Sequence, residues 1–194
     1  MDIRVREAIR YLGYGKSEPD ENIKKLIDSS FQELDQVAER KFYYQKYSLK
    51  ILNDKSLLLD TLEINSRNLC KNLQGCEEVL LLGATLGAGV DRLLQKYERL
   101  DIARAVVLQA CAAAYLEEFC DLEQDKIKTE YEKEGLHLQP RFSPGYGDFS
   151  LEHQKDILKI LDAAKRIGLT MTESYMLTPS KSITAVIGVK HVIR

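Results

Sequence analysis

The residues best suited to chemistry converge on one stretch, Arg141-Phe142-Ser143-Pro144-Gly145-Tyr146-Gly147-Asp148. The guanidinium of Arg141 is a rigid fork of donors that matches a carboxylate or a phosphate. Gly145, four residues on, and Gly147 leave the backbone bare, so a ligand can approach its N–H and C=O groups. Tyr146 between them offers a flat ring with a polar tip. Pro144 and the two glycines rule out a regular element and impose a turn-rich path. The same composition also suits a plain surface connection between two helices.

A carboxylate that could serve this loop stands on the longest expected helix, which Asp101 opens. Ala103, Val106, Val107, Ala110, Cys111, Ala114, Tyr115, Phe119 and Leu122 give that helix a broad apolar face. Glu117 sits close to the face, and a carboxylate there needs a partner. Glu118 is the alternative inward residue. A solvated acidic face is the third reading, since Glu117, Glu118, Asp121 and Glu123 cluster beside lysines. A second glycine-rich stretch, Gly83 to Gly89, follows the apolar run Val79 to Leu82 and precedes a helix from Val90. Strand, glycine turn and helix N-terminus is a phosphate-holding layout. The spacing fits neither a dinucleotide fingerprint nor a P-loop, which favours a tight turn packed against the core.

Other chemistries find no support. Cys70, Cys76, Cys111 and Cys120 form no C-x-x-C and have no histidine at ligand spacing, so they read as buried reduced thiols. His137, His153 and His191 lie in separate elements and read as solvated residues. No Ser/His/Asp or Cys/His arrangement emerges from the spacing. The chain is therefore expected to present a cosubstrate to chemistry held by a partner.

Arg141, Gly145-Tyr146, Thr172-Glu173-Ser174 and Pro179-Ser180-Lys181-Ser182 occur in that order. Together they resemble the S-adenosylmethionine-binding activation domain of cobalamin-dependent methionine synthase, most strongly over residues 100 to 190. The resemblance implies S-adenosylmethionine as ligand, with Glu117, Arg141, Ser143, Gly145 and Tyr146 as binding residues. Arg141 would take the methionyl carboxylate, and Ala-Tyr-Leu-Glu-Glu-Phe would be the segment that supplies a ligand-contacting glutamate. It further implies cobalamin supplied by a separate synthase chain and a flavodoxin-like electron donor to that complex. Reactivation of Co(II)-cobalamin by reductive methylation is the implied function. A docking module that keeps the fold without the ligand is the alternative. Phe142, Tyr146 and Phe149 would form the outer docking face. Longer family members carry a Trp-rich N-terminal segment with a ligand-binding aspartate and a further tyrosine beyond the position of Arg194; this chain contains no Trp.

The elements that must position these residues point to an α+β class, an antiparallel sheet flanked by helices. Residues 1–40 read as an N-terminal helical region and 41–194 as the α+β core. The first region holds a short helix ending at Gly13 and a longer one over Glu21 to Arg40, apolar at Ile23, Leu26, Ile27, Phe31, Leu34 and Val37. Strands are expected over Phe42 to Ile51, Leu57 to Leu62, Leu169 to Tyr175 and Ser182 to Val192. A helix N-capped by Ser66 runs to Leu73, and a later one starts with Asp148 or Ser150 as cap and stops at Gly168.

With 28 basic and 30 acidic residues, the chain shows no electrostatic footprint for nucleic acid. Its apolar runs are too short to span a bilayer, and Met1-Asp2-Ile3-Arg4 lacks a signal-peptide core. Those features predict a cytoplasmic protein without a membrane partner.

Overall fold

The structure, a computed structural model, describes residues 3–15 and 17–191. Two helices open the chain, α1 (Ile3–Tyr11) and α2 (Glu21–Val37). Asp20 caps α2 through the Ile23 N–H. The helix stops at Val37, three residues before the expected Arg40. There the backbone turns extended at Ala38, and the Glu39 N–H donates to Leu86 O at 2.8 Å.

Six antiparallel strands form the main sheet in the order β3-β2-β1-β4-β8-β5. They are β1 (Lys41–Ile51), β2 (Ser56–Leu59), β3 (Leu62–Asn65), β4 (Glu78–Thr85), β5 (Leu136–Leu138) and β8 (Ser182–His191). The single strand expected over Leu57 to Leu62 is a hairpin, because Asp60 adopts φ +54° and reverses the chain. Strand β4 lies at the centre, and its near-continuous apolar run is what burial on both faces requires. Val79 and Leu81 face one core with Leu69, Phe149, Ile157 and Ile167, while Leu80 and Leu82 face Ile127 on the other side. The strand continues through Gly83 and Ala84, so the glycine stretch begins as sheet. Gly89 then marks a close crossing, because a Cβ there would lie 2.3 Å from Val37 O. No phosphate cradle is needed to account for it.

Helix α3 (Arg67–Asn72) follows β3 and is capped by Ser66, as the sequence predicts. Helix α4 (Ala88–Leu100) leads to α5 (Ile102–Lys133), whose 32 residues cover about 48 Å at 1.5 Å per residue. The first half of α5 buries Leu108, Cys111, Ala112 and Tyr115 against α1, α2 and α4. Its second half lays Ile127 and Tyr131 on the sheet. The short strand β5, which the sequence did not suggest, pairs its Leu136 to Leu138 with Val189 to His191.

One helix was expected from Ser150 to Gly168. Asp162 at φ +49° breaks it into α6 (His153–Ile160) and α7 (Ala163–Ile167). Neither Asp148 nor Ser150 caps α6. The strand expected over Leu169 to Tyr175 shrinks to a ribbon, β6 (Thr170–Met171) with β7 (Leu177–Thr178), because Tyr175 turns at φ +63°. β8 ends at His191, and Val192 lies outside the described residues.

Candidate functional site

The Arg141 loop leaves β5 and is pinned to the sheet at once. Phe142 and Val186 exchange backbone hydrogen bonds at 2.8 and 2.9 Å. A tight turn follows. Ser143, itself buried, accepts the Tyr146 N–H at 3.2 Å on its carbonyl, and Gly145 donates its N–H to Phe149 O at 2.7 Å. Gly145 stands at φ +94° and Gly147 at φ +57°, the left-handed region that favours glycine. Their bare faces are covered by the protein itself: a Cβ would come 3.0 Å from Leu151 Cδ2 at Gly145 and 2.1 Å from Asn68 Nδ2 at Gly147. The glycines therefore serve the packing of the loop on α3 and on Leu151, two residues before α6.

Asp148 fastens the other end of the loop. Its carboxylate accepts from Ser66 Oγ at 2.6 Å, from the Arg67 N–H at 2.8 Å and from the Asn68 N–H at 3.1 Å. It thus neutralises the N-terminus of α3 rather than that of the helix that follows it. These bonds, that from Ser66 foremost, hold its pKa below the usual carboxylate range.

Arg141 projects onto α5. Its Nη2 meets Glu117 Oε2 at 2.5 Å, and its Nη1 meets Asp121 Oδ1 at 2.5 Å and Gln124 Oε1 at 3.2 Å. Spacing of four residues puts both carboxylates on one face of the helix. The Arg141 side chain is 19% exposed, against 37% for Glu117 and 64% for Asp121. Burial opposes the charge of the guanidinium, but the bonds and charges of Asp121 and Glu117 outweigh it and raise its pKa further.

Beside this cluster lies a cleft of about 390 Å³. Arg4, Glu7, Arg10 and Tyr11 of α1 form one wall, Glu117, Glu118 and Asp121 of α5 the other, and Tyr146 closes an end. Of the five residues predicted from the sequence, Glu117 and Tyr146 line the cleft, and Arg141 stands behind Glu117. Ser143 and Gly145 shape the turn that presents Tyr146. The α1 wall and Asp121 were not foreseen as site residues. The i, i+4 spacing of Glu117 and Asp121 was the one signal that could have found the latter.

The loop's outer face differs from expectation. Tyr146 is 67% exposed, but Phe149 is buried at 1% and Phe142 packs in the same core. His153, read as solvated, is half-buried with its ring 5.6 Å from that of Phe149. Thr172 and Ser174 share a hydrogen bond at 2.9 Å on the β6–β7 turn and do not line the cleft. The four cysteines are buried and free, and burial pushes Cys111 and Cys120 up to about 12. Among the described residues no helix is long and apolar enough to cross a membrane.

The family model described as vitamin B12 dependent methionine synthase, activation domain, matches residues 69–192. Among solved structures, the crystal structure of the MetH reactivation domain bound to AdoHcy shares the fold with a TM-score of 0.69. That match is 13% identical and covers 98% of this chain and 76% of the other. No curated protein matches the sequence.

Proposed function

Since the chain belongs to the activation-domain family of vitamin B12-dependent methionine synthase, we propose that it binds S-adenosylmethionine in the cleft between α1, α5 and Tyr146. The observation that carries this reading is the convergence of Glu117, Asp121 and Tyr146 on one cleft, with Arg141 behind them. The sulfonium and ammonium of such a ligand are cations, and carboxylates on the α5 wall attract them. The methionyl carboxylate would go to Arg141, replacing Asp121, the more exposed of its two acidic partners. Gly145 and Ser143 hold the turn so that the ring of Tyr146 stands at the mouth. The AdoHcy of the structurally similar domain is this ligand without its methyl group, which supports the same ligand class.

The acceptor would belong to a partner: a synthase chain would supply the methyl-accepting chemistry of cobalamin, with the electron it needs coming from a flavodoxin-like donor, and S-adenosylhomocysteine would be left in the cleft. This chain's own residues bind and orient the donor, and none is assigned an acid–base step.

A second reading, a docking module without ligand, is favoured by one observation. The fork of Arg141 is already filled by Glu117, Asp121 and Gln124. Calorimetric titration of the pure chain with S-adenosylmethionine and with S-adenosylhomocysteine separates the two. Saturable one-to-one binding is expected. Absence of heat and of any thermal stabilisation at saturating ligand would leave the docking module standing.

A further inference from the structure

We propose that Tyr11 and Tyr146 are the two jaws of a clamp that holds a purine base across the mouth of the cleft. The inference rests on the ligand reading above and adds to it a subsite built by α1, which lies outside the matched residues 69–192.

The two rings reach the same cleft from separate parts of the chain, Tyr11 from the end of α1 and Tyr146 from the tip of the loop. They are 44% and 67% exposed, in a molecule that buries most of its other large apolar side chains. A flat ring left open on each side of a cleft suits the π-face of a base, and stacking is the interaction that every base can make.

The Tyr11 ring is held in place before any ligand arrives. Arg10 lies 4.9 Å over it and is itself fixed by Glu7 at 2.5 Å. The helix beneath is anchored by buried Ala8 and Ile9. Arg4 adds to this, standing 4.9 Å over Phe31 and 3.6 Å from Asp35 on α2. Burial raises the pKa of Tyr11, and the nearby charge of Glu117 adds to it, so the phenol is neutral at pH 7 and does not repel an electron-rich base. Polarity along the cleft follows. The amino-acid end of the ligand meets Glu117 of α5 and Arg141 of the loop, and the base meets the two tyrosines.

The test is calorimetry with four probes, S-adenosylmethionine, S-adenosylhomocysteine, adenosine and methionine, on the wild type and on Tyr11→Ala, Tyr11→Phe and Arg141→Ala. Tyr11→Ala should weaken the three purine ligands about tenfold, and Tyr11→Phe should keep most of the affinity. Methionine, which has no base, should bind both Tyr11 variants as it binds the wild type. Equal S-adenosylhomocysteine affinity in Tyr11→Ala and wild type, with loss in Arg141→Ala, would overturn the clamp and spare the ligand reading. A Tyr11→Ala variant that loses methionine to the same degree would also overturn it, since α1 would then have a structural role only. A wild type that binds none of the four probes sinks both.

Discussion

Replacing Arg141 by alanine should injure stability and ligand binding by separable amounts. Arg141 pairs with both Glu117 and Asp121, and its side chain is 19% exposed. A hydrogen bond to a charged group contributes about 1.5–3 kcal/mol when buried, and an exposed ion pair about 0.2–1 kcal/mol. Glu117, at 37% exposure, belongs near the lower end of the first range, and Asp121, at 64%, in the second. The sum is about 2 kcal/mol for the folded state. For a domain of this size that corresponds to a fall in melting temperature of about 4–8 °C. Arg141→Lys should recover less than half, because one ammonium on a flexible stem cannot bridge two carboxylates as a planar fork does. Urea and thermal melts of the three proteins read this directly. An Arg141→Ala midpoint equal to wild type, or full rescue by lysine, would refute the reasoning.

The ligand arm of the same experiment uses Asp121. If the methionyl carboxylate replaces Asp121 on the fork, Arg141→Ala weakens S-adenosylmethionine by roughly ten- to a hundredfold. Asp121→Asn, by freeing Arg141 of a competitor, should then tighten binding. Weaker binding in Asp121→Asn would instead put that carboxylate on the ligand's ammonium and leave Arg141 with the task of positioning it.

Two further outcomes follow from the way the loop is fastened. Gly147→Ala, at φ +57° and facing Asn68, should destabilise the fold by about 1–3 kcal/mol in a urea melt; Asn68→Ala in the same chain should restore only the part due to the clash. Asp148 has a folded pKa below the ordinary carboxylate value, so its stabilisation is complete above about pH 4 and is lost as pH falls through the folded value. Asp148→Asn should therefore flatten the acid limb of the urea midpoint plotted against pH, and a limb as steep as that of wild type would contradict the assignment.

How much of this was legible in the sequence depends on which forces are local. The pairing of Glu117 with Arg141 follows from a general demand, that a carboxylate beside an apolar helix face finds a partner. Asp121 obeyed the same demand, yet one turn further out it read as part of a solvated face, and its exposure is indeed greater. Ser66 as the cap of α3 and Asp101 as the cap of α5 were legible because capping is set within three residues. Asp148 shows where that logic ends. A carboxylate placed before a helix reads as that helix's cap, but N–H groups left open at another helix's N-terminus can claim it, and those of Arg67 and Asn68 in α3, which Ser66 caps only at Leu69, do so across 80 residues or more of chain. The aperiodic loop carried no inside–outside signal at all. Phe142 and Phe149 could be assigned to the surface only by composition, and the pairing of Phe142 with Val186 turned the segment inward. The same holds for Tyr11. It falls outside the apolar stripe of α1, so periodicity marks it as a surface residue. Only the packing of α1 against α5 makes that surface the wall of a cleft, which is why a residue with no motif around it can stand across from one that has.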